Sequence, residues 1–150
     1  MRGLVQRVRE ASVVVKADGG RVEVGRIGMG LCVFVGVTHT DGEVQAAKLA
    51  DKIWNLRVID DDDGVMNRSV ADAGGEVLVV SQFTLYGDTS GGRRPSWIAA
   101  ARPEAAEPLV GAVVDHLRSL GATVATGRFR TDMEVTIVND GPVTVMIEIA

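Results

Sequence analysis

Apolar and polar residues alternate through the first quarter of the chain in three stretches, Leu4 to Val15, Arg21 to Ile27 and Leu31 to Val37, broken by ADGG and by GMG. A period of two over β-branched residues predicts strands, and the short glycine-containing breaks predict a meander. The period then changes. From Glu43 to Leu56 the residues Ala46, Leu49, Ala50, Ile53 and Trp54 fall at i, i+3, i+4, i+7 and i+8, which places them on one face of a helix. Arg57 to Asp60 reads as a short strand running into the acidic turn Asp60 to Gly64, and Val77 to Phe83 as an apolar strand covered on both faces. A second helix starts at Pro103, which suits a first turn. Its stripe is Ala105, Leu109, Ala112, Val113, His116 and Leu120, and Gly121 ends it. Ala122 to Thr126, Met133 to Asn139 and Val143 to Ile149 read as strands, the last with Val143, Val145, Ile147 and Ile149 on one face.

The order βββ, α, β, β, α, βββ predicts an α+β fold: a largely antiparallel, barrel-like sheet with two packed helices, forming one domain over residues 1–150. A chain of 150 residues, 46% of them apolar, can bury a substantial core. No apolar run approaches the ~18 to 20 residues of a membrane span, and MRGLVQRVREASVVVKA alternates charge with β-branched residues where a signal peptide has an unbroken apolar stretch. A cytoplasmic protein is expected, and its single cysteine, Cys32, is expected as a small buried hydrophobe.

Charge excludes one class and leaves another open. A net charge of −4 is unsuited to coating nucleic acid non-specifically. Arg93, Arg94, Arg102, Arg128 and Arg130 nevertheless fall in one part of the chain beside little acid, and arginine favours bidentate contact with phosphate. On charge alone a solvated surface explains them as well.

Conventional catalytic machinery is missing. The two histidines are His116, on the apolar stripe of the second helix, where a packed histidine is expected, and His39, in the polar connection VTHTDGE, where an exposed one is; neither reads as a base paired with a nucleophile. One cysteine and two distant histidines do not make a zinc set, the acidic turn lacks the spacing of a calcium loop, and GRIGMG lacks the strand-turn-helix context of a dinucleotide fingerprint. No metal or other cofactor is expected. What remains is polar residues at strand ends: Ser81, Gln82 and Thr84 after one strand, and Asn139 to Thr144 between two others, able to stabilise an oxyanion without a strong acid or base. Locally, Asn139-Asp140-Gly141-Pro142 is an ordinary turn composition, and its X-Pro bond would ordinarily be trans.

Several of these segments carry a resemblance. SQFTLYG at Ser81 to Gly87, RPSW at Arg94 to Trp97, the helix start ARPEAAE, the stretch TGRFRTDMEV and NDGPVTV at Asn139 to Val145 resemble, in that order, the motifs of the D-aminoacyl-tRNA deacylase family. LVQRV, GLCVFVGV and KIWNLRV extend the similarity end to end. The resemblance implies a cytoplasmic homodimer that hydrolyses the ester joining a D-amino acid to the 3′-terminal adenosine of tRNA. It implies a cis Gly141-Pro142 peptide that reaches into the partner's active site and rejects L-amino acids through backbone carbonyls, a selectivity built on exclusion.

Carried onto this chain, the resemblance assigns Ser81, Gln82 and Thr84 to the catalytic wall, with Thr84 nearest the chemistry, and Phe83, Thr131 and Met133 to substrate binding. Gly141 and Pro142 form the chirality filter; Arg7 and Asn139 support it. An attacking water held by backbone amides, with the substrate's 2′-hydroxyl assisting, is expected over a covalent Thr84, since no side chain offers a general base. One departure stands out: Arg130-Thr131 occupies the place of the family's small Gly-Ala pair. The competing expectations are a catalytically inactive RNA-binding dimer of the same fold and a general esterase using Thr84.

Overall fold

The computed structural model describes residues 1–150. Its organising element is the first strand, β1 (Arg2–Ala17), which carries partners along both edges. On one edge its first half pairs antiparallel with β3 (Gly30–Gly36), from Arg2 opposite Gly36 to Val8 opposite Gly30, and its second half with β2 (Gly20–Ile27). On the other edge it pairs antiparallel with β8 (Met133–Glu148), from Arg2 opposite Glu148 to Val15 opposite Met133.

Beyond β3 the sheet becomes parallel, through β6 (Glu76–Ser81) to β7 (Val124–Thr126). The expected antiparallel character therefore holds for the pairings of β1. It gives way where long connections containing helices bring the chain back to the same end of the sheet, which is what a parallel pair requires. The strip β2-β1-β3-β6-β7 curls until its ends nearly meet: a methyl group placed on Gly25 of β2 would lie 2.5 Å from the Thr126 carbonyl oxygen of β7.

This curvature gives the sheet two apolar faces. Inside the barrel lie Val8, Ala11, Val13, Ile27, Cys32, Leu78 and Val80. The opposite face, with Leu31, Val33, Val35, Val77 and Val79, packs under the helices α1 (Glu43–Asn55) and α3 (Pro103–Ser119). Strands β3 and β6 thus bury both faces, and their near-continuous apolar sequence follows from that.

Helix α1 presents Ala46, Leu49, Ala50 and Ile53 to the sheet, all fully buried, and α3 presents Val113 and Leu117. Burial of a Leu or Ile side chain contributes about 1.5–3 kcal/mol, so this stripe is what docks α1. Its first turn is closed by Gln45, whose Oε1 accepts the Gly42 N–H at 2.9 Å.

Three local expectations change. The acidic turn joins β4 (Ile59–Asp60) to a short β5 (Met66–Arg68), followed by one turn of helix, α2 (Val70–Ala73), capped by Ser69; the sequence pattern indicates neither β5 nor α2. Asp61 accepts the N–H groups of Val65 and Asp63 at 3.0 and 2.9 Å, which holds its carboxyl below the ordinary range. Strand β6 ends at Ser81, two residues before the expected end at Phe83, and Phe83–Tyr86 forms a 3-10 turn. Arg2 fixes that turn, donating to the Leu85 carbonyl at 2.8 Å while its guanidinium sits 4.5 Å above the Tyr86 ring.

The third change is β8, one strand where two were expected. Gln6 pairs with Thr144 and Val8 with Asn139, so the single residue Arg7 of β1 faces Asp140, Gly141, Pro142 and Val143 of β8. The turn composition produces a bulge within a paired strand, because pairing to β1 resumes on both sides of it.

Candidate active site

Between the end of β6, the start of α3 and the segment leading into β8 lies a cleft of about 640 Å³. Its floor is apolar, with Val35, Val80 and Val135 from the sheet, Val37 just past β3 and Ala106 from α3. Ser81, Gln82 and Phe83 stand on one side, and Phe129, Arg130, Thr131 and Met133 on another. Phe83 and Trp97 meet edge to face, ring centroids 5.3 Å apart at 71°, and form an exposed aromatic rim. That contact depends on Gly87, since a methyl group there would fall 2.5 Å from the Trp97 ring.

The segment after Gly87 is held in place. Asp88 and Ser96 exchange backbone hydrogen bonds of 2.9 and 2.8 Å, closing the glycine-rich loop, and Ala101 N–H donates to the Val37 carbonyl at 2.9 Å. Asp88 also accepts the Ser90 N–H, which lowers its pKa. Trp97, Arg102 and the start of α3 are thereby positioned from β3. Arg93 and Arg94 lie exposed in the loop and do not line the cleft.

Of the residues expected at the site, Ser81, Gln82, Phe83, Thr131 and Met133 converge on this cleft. Thr84 does not line it but is tied to it, since the Gln82 side-chain amide donates to the Thr84 hydroxyl. The lining includes hydroxyl and amide groups, two arginines and no carboxylate or imidazole. Such a set can hold an ester and stabilise an oxyanion, but it provides no side-chain base to deprotonate a nucleophile.

Arg7, Asn139, Gly141 and Pro142 form a second constellation, at the β8 bulge. The Gly141-Pro142 peptide is cis and Gly141 has φ +122°, a region that side chains rarely adopt. Arg7, with its side chain 10% exposed, donates from Nε to the Asp140 carbonyl at 3.1 Å and from a terminal nitrogen to the Val58 carbonyl at 2.9 Å and Asp60 Oδ1 at 3.1 Å. Asn139 bridges the bulge from the other side. Its Oδ1 accepts the Val143 N–H at 3.3 Å and its Nδ2 donates to Thr144 Oγ1 at 3.1 Å. None of these four residues lines the 640 Å³ cleft of the same chain.

The remaining candidates are structural. His116 is half-buried and bonds Asp51 Oδ1 at 3.0 Å; His39 is exposed, with Nε2 2.6 Å from the Ile98 carbonyl oxygen. Cys32 is fully buried, and burial pushes its thiol up to about 12.

A profile of the family described as D-Tyr-tRNA(Tyr) deacylase matches residues 4–148. The chain belongs to this deacylase family. Proteins named D-aminoacyl-tRNA deacylase from Streptomyces avermitilis and Heliobacterium modesticaldum are 56% and 57% identical to it, over 99% of this chain and 99% and 96% of theirs. A solved structure titled c-Myc DNA Unwinding Element Binding Protein superposes with TM-score 0.92 at 37% identity, covering 100% of this chain and 99% of the other. Another, titled as a probable eukaryotic D-amino acid tRNA deacylase, reaches 0.82 at 14% identity, with 99% and 98% covered, and shares the fold.

In this deacylase family member the sequence reading did not assign Trp97, Arg102 or Phe129 to the cleft. Trp97 belongs to RPSW, and an aromatic beside a glycine-rich loop is the signal in the sequence that points to it. Phe129 and Arg102 lie in connections between elements, where periodicity carries no information.

Proposed function

We propose that this protein hydrolyses the ester of D-aminoacyl-tRNA, releasing the D-amino acid and tRNA. The observation that carries this reading is the convergence of Ser81, Gln82, Phe83, Thr131 and Met133 on a cleft without a side-chain base. The aminoacyl-adenosine end enters the cleft, and the Gln82 amide, the Ser81 hydroxyl and nearby backbone N–H groups bind the developing oxyanion. Water is the nucleophile, assisted by the 2′-hydroxyl that the RNA ribose brings. Glycine mischarged on tRNA fits the same scheme, since it has no side chain to exclude.

The working unit is a homodimer. Gly141 and Pro142 are exposed on β8, away from their own chain's cleft, and β8 pairs on one edge only, with exposed Val138 and Met146 along it. A second copy bound through this strand places the carbonyls at Asp140 to Pro142 over the substrate's Cα, where an L side chain collides with backbone. Arg7 and Asn139 hold those carbonyls still. The activity belongs in the cytoplasm, where aminoacyl-tRNA is made; no helix is long and apolar enough to cross a membrane.

The deciding experiment incubates D- and L-aminoacyl-tRNA with the protein, without added metal or nucleotide. Release of the D-amino acid with survival of the L-ester is expected, and equal rates would overturn the chiral reading. A similar structure titled for nucleic-acid binding names a DNA element; the rival reading is a catalytically inactive RNA-binding dimer of the same fold. RNA binding without turnover in the same incubation would establish it. Cleavage of simple amino-acid esters as fast as tRNA esters would point instead to a general esterase.

A further inference from the structure

The cleft has an electrostatic character that the whole molecule lacks. The protein carries a net charge of −4, yet the cleft lining contains two cations, Arg102 and Arg130, and no carboxylate. Arg102 is the N-cap residue of the 17-residue helix α3, whose N-terminal end adds a partial positive charge to the same side of the cleft. Nothing in the ester, adenine or ribose of the substrate calls for cations, and the amino acid's own ammonium is repelled by them. An anion close to the terminal adenosine would give them a partner on the substrate.

Arg130 is placed for that contact at some cost to its backbone. It has φ +56°, the only non-glycine residue of the chain with positive φ, in a region that disfavours a side chain. The turn is closed by Thr131, whose Oγ1 donates to the Arg128 carbonyl at 2.7 Å, so two adjacent cleft residues share one local geometry. The side chain is 65% exposed and its guanidinium stands 4.0 Å from Glu104 Oε1, itself 76% exposed. An exposed pair at that separation holds its partners weakly and yields readily to a doubly hydrogen-bonding oxyanion.

We propose that Arg130, with Arg102, binds the phosphodiester on the 5′ side of the terminal adenosine, and so makes the enzyme prefer tRNA-borne esters over the same ester on free adenosine. This rests on the deacylase reading of the cleft. The guanidinium fork and the phosphate oxygens match in planar, bidentate fashion, and the phosphodiester is the anion nearest the adenosine that the cleft accepts. Arg130 is a binding and specificity residue here and takes no part in proton transfer.

The test compares wild type, Arg130→Gly and Arg130→Lys on D-aminoacyl-tRNA and on the phosphate-free D-aminoacyl-adenosine. Glycine accepts positive φ, so the first variant keeps the turn. The ratio of kcat/KM on tRNA to that on the adenosine ester is expected to fall roughly fivefold in Arg130→Gly at low salt, through KM. Its dependence on log salt should be shallower by about 0.7, the share of one phosphate on a single strand. Arg130→Lys, which keeps the charge but not the fork, should recover the salt dependence and only part of the ratio. An unchanged ratio, or a matching loss on both substrates, would overturn the phosphate contact. Binding of an uncharged CCA-ended acceptor minihelix, followed by fluorescence anisotropy, separates the two levels. Weaker binding by Arg130→Gly without turnover by wild type would refute the deacylase reading and leave the contact standing; equal binding beside normal turnover would refute the contact alone.

Discussion

Arg7 of β1 donates to the carbonyl oxygen of Asp140, 133 positions away in sequence, and its guanidinium occupies the space beside Gly141 where a Cβ would stand at 3.0 Å. The bulge is therefore held from the neighbouring strand as well as by its own residues. The same nearly buried guanidinium also satisfies the Val58 carbonyl and pairs with Asp60, tying β1, the β4 segment and the bulge together.

Arg7→Ala should lower stability by about 1–3 kcal/mol, since it strips the Val58 and Asp140 carbonyls of a donor in a mostly buried place. Arg7→Lys keeps the charge but not the planar fork, and its effect should be smaller. Denaturant midpoints give the stability order, and D- against L-aminoacyl-tRNA hydrolysis gives the selectivity. Both variants should lose discrimination; wild-type selectivity in Arg7→Ala would show that the bulge holds itself.

Gly141→Ala puts a methyl group 2.9 Å from Val143 Cγ2 and 3.0 Å from an Arg7 nitrogen, at φ +122°. A loss of about 1–3 kcal/mol is expected from the backbone conformation, together with most of the deacylation. Gly111→Ala is the control. That glycine lies within α3 with nothing within 4 Å of the added carbon, and the change should stabilise by up to about 1 kcal/mol. Thermal unfolding of the two proteins should move in opposite directions.

Thr84→Ala distinguishes the chemical routes. Its hydroxyl accepts from the Gln82 amide and has no basic side chain positioned to activate it. Deacylation should persist within roughly tenfold of wild type, the reduction arising from a less constrained Gln82. Complete loss of single-turnover hydrolysis, or a trapped acyl-enzyme in wild type, would restore threonine as nucleophile.

Cys32 should resist alkylation in the folded protein and react once unfolded, because the thiol is buried and pushed up to about 12 from an ordinary value of 9.0. The sign of its pH linkage follows. A raised folded pKa gives a stabilising contribution that is complete below pH ~9 and disappears as pH rises toward ~12, since the unfolded chain releases its proton first. Tyr86 is also raised, by burial first and then by Asp41. The comparison with Cys32→Ala isolates the thiol: the variant should lose less stability than wild type between pH 9 and 11.

Helix α1 and the strands of the curled sheet were legible because burial there follows a period; α3 was legible as a helix but its face only in part, since it buries Ala106, Val113, Val114 and Leu117 while Ala105 and Leu120 of the expected stripe are exposed. Leu49 and Ile53 come round every helical turn, and Cys32 and Leu78 alternate with residues of the opposite face. Short elements were not. The three residues of β5 and the four of α2 hold too few positions to show a period, and their stability comes from Ser69 capping and from pairing to Ile59. Asn139 to Pro142 read correctly as a turn composition, but whether a turn ends a strand or bulges it depends on β1, a partner remote in sequence. For the cleft, the SQFT wall was readable through resemblance, whereas Arg102 is placed by the hydrogen bond that ties neighbouring Ala101 to Val37, just past β3, and Phe129 by the connection from β7 to β8, neither of which follows a period.

The pairing of β1 with β8 also bears on how the chain reaches this state. β1 is the first strand in the sequence, and its longest partner, residues 133–148, is the last. Local contacts can form α1, α3 and the β1-β2 hairpin early, but one full edge of β1 must wait for a segment more than a hundred residues away. Contacts of such separation slow folding, because loop closure is unfavourable until the strand pairs reward it. During that interval β1 exposes an unpaired edge bearing Val5, Val8 and Val13, residues buried in the finished fold. Substitutions that weaken the β1-β8 seam should therefore show first as poor soluble yield, before any loss of activity in the molecules that do fold.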